Sequence, residues 1–249
     1  IAVEAGAQAI KLQKRTIERV YTQEELNTPR KSVFGETNRA LKEGLEFDFE
    51  QYTEIYIYCR RQKILWWASP WDLESVDFLE QVYPDAYKIP SALLTDGELL
   101  EHIRDKKKPM ILSTGMSTLQ EIDHAVDILG KKDLIILHCV STYPAENKEL
   151  NLAVMEILQD RYRVPVGYSG HERGIYPSVF AAARGAVMIE RHLSLDRTMW
   201  GSDQSSSLEL KGFKMLIEGV REGEVALGQS EKRVLPSEIP IKNKLRRVR

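Results

Sequence analysis

The sequence predicts an α/β fold, specifically a TIM (β/α)8 barrel, and three observations carry that prediction. Seven short apolar runs alternate with amphipathic segments of helix length. Compact runs of this kind mark strands buried on both faces of a parallel sheet. The opening Ile1-Ala-Val-Glu-Ala-Gly6 reads as the last turns of a helix closing at glycine, so the first helix has no strand before it. Adding that strand makes about eight strand–helix units in a chain of 249 residues, the size and rhythm of a barrel. A doubly wound open sheet is the competitor, but no G-x-G-x-x-G turn is present.

In order, strands are expected at 9–13, 64–69, 86–89, 110–113, 134–139, 164–168 and 187–190. Helices are expected at 49–62, 73–82, 96–105, 117–129, 152–158, 175–186 and 208–227. Ser117-Thr-Leu-Gln120 matches a capping box for its helix, and Gly130 suits the end of it. One segment breaks the rhythm. Residues 13–49, with Pro29, Gly35 and Gly44, are too long for an ordinary βα loop. They either cover the active face, where Lys31, Asn38 and Arg39 would meet an anionic or sugar substrate, or pack on the barrel rim.

Composition narrows the function classes. Lys and Arg number 35 against 37 Asp and Glu, so the net charge of −2 gives no reason to expect nucleic acid. Two distant cysteines without a Cys-x-x-Cys argue against a disulfide framework and a thiolate zinc site. No apolar run approaches the roughly 20 residues of a membrane span, and no signal peptide is visible. A cytoplasmic setting is the expectation. Ile1 and the terminal Leu-Arg-Arg-Val-Arg249 suggest a fragment cut at both ends.

A barrel collects its chemistry at the carboxyl ends of its strands. The expected strands end in Lys11 and Gln13, then Ser69, then Lys88 and Ser91, then Ser113 and Thr114. His138, Ser141 and Tyr143 follow, then Ser169 and His171, then Glu190 and His192. Lysines among small hydroxyls suit a phosphate or carboxylate. Taken singly, any of these serines would serve as a helix cap, as Ser117 illustrates. The two strand-borne lysines are less easily dismissed, because an unpaired buried ammonium is costly.

Val166-Gly-Tyr-Ser-Gly-His171 and Met188-Ile-Glu-Arg-His192 repeat one pattern, an apolar run ending in a polar cluster with histidine. Either histidine alone would merely cap a strand end. Their repetition on neighbouring strands, with Glu190 and Asp203 nearby, favours a divalent metal. Lys88 has a second possible task as a Schiff-base nucleophile, ranked below anion binding. Cys139 reads as a buried small residue. His102 and His124 read as surface neighbours of Glu98 and Glu121. Trp66 and Trp67 read as core, and Trp71 as rim packing that could flank a ligand.

The set of motifs resembles the sialic acid synthase (N-acetylneuraminate synthase) family. It runs through Ala5-Gly-Ala-Gln-Ala-Ile-Lys-Leu-Gln13, Ala68-Ser-Pro70, Tyr87-Lys-Ile-Pro-Ser91 and Ile111-Leu-Ser-Thr-Gly-Met116. It continues in Leu137-His-Cys139 with Tyr143-Pro144, Gly167-Tyr-Ser-Gly-His171, Ile189-Glu-Arg-His192 and Trp200-Gly-Ser-Asp203. Single pieces are common, but the ordered set is specific.

The resemblance implies a barrel over 1–230, lacking its first strand, with 231–249 beginning a linker to an absent antifreeze-like C-terminal domain. It implies a domain-swapped homodimer of the full-length protein. The implied reaction condenses phosphoenolpyruvate with an N-acetylhexosamine and water, without nucleic acid or membrane. His171 and His192 would hold Mn2+ or Mg2+. Lys11, Ser69, Lys88, Ser91, Ser113, Ser141 and Ser169 would hold the phosphate and carboxylate. Gln13, Tyr143, Glu190 and Asp203 would face the amino sugar, and Lys11, Glu190, Asp203 and Tyr143 are the catalytic candidates. The sequence departs from the family at Ala92 and Leu93, where Gly and an acidic residue are usual, and at Ser141, where many relatives carry Asn. A Schiff-base aldolase and a non-catalytic barrel are the alternatives.

Overall fold

The structure, a computed structural model, describes residues 1–199, 201 and 203–247. Trp200 and Ser202 of the Trp200-Gly-Ser-Asp203 motif lie outside the described residues, as do Val248 and Arg249 of the expected linker. In chain order the first elements are α1 (Ala2–Ala5), β1 (Ala9–Lys14), α2 (Ile17–Val20), α3 (Gln23–Asn27), β2 (Pro29–Ser32), β3 (Gly35–Thr37) and α4 (Asn38–Leu45). Then follow α5 (Phe49–Gln62), β4 (Leu65–Pro70), α6 (Leu73–Glu80), β5 (Tyr87–Ile89), α7 (Gly97–Asp105), β6 (Met110–Ser113) and α8 (Leu119–Leu129). The remainder are β7 (Leu134–Cys139), α9 (Val154–Tyr162), β8 (Val166–Gly170), α10 (Tyr176–Ala183), β9 (Ile189–Arg191), α11 (Leu210–Leu227) and α12 (Ile239–Leu245).

Seven strands form one parallel sheet in the order β1-β4-β5-β6-β7-β8-β9. Each strand pairs with its chain neighbour once the β2–β3 hairpin is set aside, which is the order of a barrel wall. Each expected strand is present. The last two expected strands sit two residues early, because apolarity starts before the ladder does: Val164 and Val187 precede pairing that begins at Val166 and Ile189. No helix among the described residues is long and apolar enough to cross a membrane.

Two apolar layers lie on opposite faces of the sheet. Trp66, Ala68, Leu112, Leu134, Ile136 and Val166 pack against the helices in the larger core. Trp67, Ala86, Ile111 and Leu137 form a smaller cluster with Ala9, Ile135 and Met188. The two sets alternate along each strand, as a period of two requires. The smaller set is the lower layer of the concave face, and the next inward position is polar on every strand except β7, where Cys139 follows Leu137.

Helix ends follow local rules with one correction. Helix α8 is capped by Thr118, not Ser117: Thr118 accepts from the Glu121 N–H, and the Glu121 carboxylate accepts from Thr118. The capping box is shifted by one residue because the acid at the third helical position, Glu121, is the stronger partner. Gly130 ends that helix with φ 73°. Tyr52 of α5 is fully buried against Trp66 and Phe78, and its hydroxyl donates to the Gln13 carbonyl at 2.8 Å. That bond ties the carboxyl end of β1 to the helical layer.

Residues 14–49 pack on the barrel rim. Lys14 pairs with Glu46 at 3.3 Å, and the Thr16 N–H donates to Asp72 at 2.8 Å. Asn38 donates to the Glu25 carbonyl at 3.1 Å, and Arg39 pairs with Glu18 and Glu43. Both of these residues, expected near a substrate, are therefore engaged within the insertion itself. Lys31 is exposed on the hairpin.

Candidate active site

Inward alternation builds the site. One step above Ala9, Trp67, Ala86, Ile111, Gly167 and Met188 stand Lys11, Ser69, Lys88, Ser113, Ser169 and Glu190. One further step brings Gln13, His171 and His192. The parallel register aligns these ends, with Gln13 opposite Ser69 and Ser169 opposite Glu190. The polar rim is thus one face of a sheet rather than a chance collection.

Glu190 is the hub of the first cluster. Its Oε1 accepts from Lys11 Nζ at 2.9 Å and from the Ser169 hydroxyl at 2.9 Å, and lies 3.9 Å from Lys88 Nζ. Lys88 is 1% exposed and donates to the Ser113 hydroxyl at 2.7 Å and the Ile89 carbonyl at 3.1 Å. Burial pushes Lys88 down to about 8, against the pull of Glu190 and with help from the Lys11 charge. Burial alone would raise Glu190, but the Lys11 and Lys88 ammonium groups outweigh it and hold the carboxyl well below its usual range. The cluster is a carboxylate between two cations, with hydroxyls at its edge.

Ser69 adds a telling detail. Its hydroxyl is buried and has no hydrogen-bond partner among the described residues. A buried hydroxyl without a partner is costly, so its position suits a ligand oxygen. Ser91 and Ser141 meet farther along the rim. The Ser91 hydroxyl accepts from the Gly115 N–H at 2.9 Å, and a side chain at Gly115 would run into both hydroxyls. Gln13 contacts the Arg15 guanidinium, which stacks 4.4 Å above the Trp71 ring.

The second cluster contains the histidines. The His171 and His192 rings are 5.2 Å apart, and the Tyr143 ring lies 4.1 Å from His171 and 5.8 Å from His192. Asp203 Oδ2 is 3.6 Å from His192 Nδ1. His171 Nδ1 is 2.8 Å from the Val140 carbonyl. That bond places a proton on Nδ1 and turns Nε2 towards His192; burial would lower His171, but Cys139 and the Val140 carbonyl outweigh it and raise the ring above its ordinary value. Burial, Lys11 and His171 push His192 down to about 4 despite Asp203, so His192 is neutral at pH 7. Tyr143 is pushed up, chiefly by burial, and keeps its proton. Cys139 Sγ joins the two clusters, 3.7 Å from Ser141 Oγ and 3.8 Å from His171 Nδ1.

Two imidazoles facing one another are a donor pair that fits a divalent first-row metal, which would take them in their neutral forms and displace the proton that His171 favours. Among the described residues no three His, Cys, Asp or Glu side chains converge on one metal position. A metal held by these rings would take two nitrogens from them and its other ligands from water or substrate oxygens. A cavity of about 580 Å3 opens between β1 and β9, lined at one end by Lys11, Gln13, Glu190 and His192.

Of the strand-end residues read from the sequence, the structure brings Lys11, Ser69, Lys88, Ser113, Ser169 and Glu190 into one layer and Gln13, His171 and His192 into the next. His138 does not belong there. It stands at an outward position of β7 and contacts the Leu150 carbonyl at 2.6 Å, because alternation turns it towards the helical layer. His102 is partly exposed, as expected, but its partner is Asp77 of the preceding helix at 2.8 Å rather than Glu98. Sequence reasoning missed Glu172 and Arg191, which form a fully buried ion pair at 3.0 Å. The signal was available: a charge follows His171 and another precedes His192.

Comparison with known proteins shows what the chain as a whole is similar to. The family model described as the NeuB family matches residues 1–232. The chain is 35% identical over 246 residues to the N,N'-diacetyllegionaminic acid synthase of Campylobacter jejuni, covering 96% of this chain and 74% of that protein. It is 36% identical over 250 residues to human N-acetylneuraminate-9-phosphate synthase, covering 98% and 69%. A crystal structure of N-acetylneuraminic acid synthetase from Leptospira borgpetersenii, in complex with citrate, superposes with a TM-score of 0.83 at 31% identity, over 99% of this chain and 85% of that one.

Proposed function

Because the chain belongs to the NeuB family, we propose that it condenses phosphoenolpyruvate with an N-acetylated amino sugar and water, giving a nonulosonic acid and phosphate. The observation that supports this most is the joining of Lys11, Lys88 and the Ser69, Ser113 and Ser169 hydroxyls to a facing pair of imidazoles. The first group suits a phosphate and a carboxylate, and the second suits a carbonyl acceptor.

Carbon 3 of phosphoenolpyruvate bonds to the aldehyde carbon of the open-chain sugar. Water adds at carbon 2, and the tetrahedral centre releases phosphate by cleavage of its C–O bond. Lys88, still largely charged at pH 7 with its pKa at about 8, and Lys11 hold the anionic groups. Ser69, Ser91, Ser113, Ser141 and Ser169 supply hydroxyls around them. Glu190 stays ionised and keeps the Lys11 ammonium at 2.9 Å. Tyr143, Gln13 and Asp203 face the sugar. Fixing both reactants removes much of the entropic barrier to their meeting. His171 and His192 would hold Mn2+ or Mg2+, which when bound supplies Lewis-acid polarisation of the aldehyde. Cytoplasmic residence and a homodimer belong to the same reading, and light scattering checks the dimer.

The test is phosphate release from phosphoenolpyruvate and Mn2+ with a panel of N-acetylated hexoses, with His171→Ala alongside. Acceptor-dependent release that the variant loses supports the reading and identifies the sugar. No release with any acceptor, from a folded protein, refutes it. The burial and lowered pKa of Lys88 favour one second reading, a Schiff-base aldolase. Borohydride trapping with pyruvate distinguishes the two, since the synthase leaves no covalent adduct on Lys88.

A further inference from the structure

The buried Glu172–Arg191 pair lies between the two histidine-bearing strand ends. Glu172 directly follows His171, and Arg191 directly precedes His192. Neither side chain has any solvent exposure. Arg191 Nη1 donates to Glu172 Oε1 at 3.0 Å, to the Gly174 carbonyl at 2.7 Å and to the Ser178 hydroxyl at 3.2 Å. Nη2 donates to the Glu172 carbonyl at 2.6 Å and the Ser206 carbonyl at 3.3 Å. Glu172 in turn accepts from Tyr168 at 2.9 Å and from Ser178 at 2.6 Å.

The three carbonyl contacts lead back to the site. The Glu172 and Gly174 carbonyls belong to the loop that begins at His171. Ser206 donates through its N–H, at 3.1 Å, and its hydroxyl, at 2.9 Å, to the Asp203 carbonyl. One guanidinium therefore gathers the loop after β8, the first turn of α10 and the turn carrying Asp203. Gly170 makes room for it, since a side chain there would strike the Glu172 carboxylate and approach Arg191 Cδ at 3.0 Å.

Stability alone does not account for this arrangement. Well-packed apolar residues of equal volume commonly serve a core as well as a buried ion pair does. An apolar pair cannot hold three backbone carbonyls in fixed positions, because only a donor fork can satisfy them. We propose that Arg191, braced by Glu172, is a positioning residue that sets the separation of the His171 and His192 imidazoles and the place of Asp203 beside them. In its bearing on the metal, this rests on the reading of those histidines as metal ligands.

The test compares wild type with Arg191→Lys and with the paired Glu172→Met/Arg191→Met variant, which buries no unpaired charge. Two quantities are read on metal-free protein: the histidine Cε1–H resonances, and Mn2+ affinity by titration of the free-ion EPR signal. The paired variant is expected to unfold as cooperatively as wild type. In both variants the His171 and His192 resonances shift while those of His102 and His124 stay. Mn2+ affinity falls roughly 10–100-fold, the usual effect of losing a residue that orients a ligand. Unmoved His171 and His192 resonances overturn the proposal. So does wild-type Mn2+ affinity in both variants where His171→Ala has lost it. Should the paired variant not fold, Arg191→Lys decides by the same readouts. If His171→Ala binds Mn2+ like wild type, the metal reading falls, and the resonances still decide the positioning.

Discussion

Lys88→Met separates the needs of the site from those of the fold. Lys88 is held at about 8 in the folded protein against an ordinary 10.5, first of all by burial. At about 1.36 kcal/mol per decade of proton affinity, its charged form carries a folding penalty of about 3 kcal/mol. The unfolded chain keeps the lysine proton up to 10.5, whereas the folded one releases it near 8. Between those values the unfolded state holds more protons, so stability rises with pH. Below the folded value the penalty applies in full. Methionine does not titrate, so the variant lacks this rise. Wild type is expected to gain about 3 kcal/mol relative to Lys88→Met between pH 7 and pH 10.5. Changes in packing and hydrogen bonding that the substitution causes equally at both pH values cancel in that difference. Urea unfolding at the two pH values measures it, and phosphate release in parallel should fall by at least two orders of magnitude, on the order of the loss of one preorganised charge contact. A stability difference that does not change with pH would refute the argument, because it would mean that Lys88 is not desolvated.

Three further outcomes follow from the same geometry. Ser69→Ala should raise stability by about 1 kcal/mol, since it removes a buried hydroxyl that has no protein partner, while raising the KM for phosphoenolpyruvate about tenfold; lost stability with an unchanged KM contradicts this. Glu190→Gln should destabilise the fold at pH 7 by about 3 kcal/mol by leaving the buried Lys88 and the half-buried Lys11 ammonium groups without their anion. Because the Glu190 pKa is depressed on folding, that gap should narrow as pH falls below the ordinary carboxylate value of 4.5, and urea midpoints at pH 7 and pH 3 check the direction. Gly115→Ala should displace Ser91 and Ser141 and raise the KM for phosphoenolpyruvate more than that for the sugar; equal effects on both would separate these hydroxyls from the anion.

The fold was legible from the sequence because parallel strands buried on both faces are short, apolar and regularly interrupted by helices. Met110–Ser113 and Leu134–Cys139 could be bounded to the residue. The rim was legible for the same reason: polar residues closing apolar runs in a parallel sheet must share one edge. Which side of the sheet each occupies depended on ladder register, and register is a tertiary property. Lys88 and Ser113 turn inward, while His138 turns outward to Leu150. The one-residue shift of the cap to Thr118 was decided by which acid reached back. The Glu172–Arg191 pair and the lowered pKa of Lys88 were decided by burial, which no local pattern encodes. Sequence determined which chemical groups reach the rim. Only the tertiary structure decided which of them are desolvated and paired, because dielectric and distance are set by the chain as a whole.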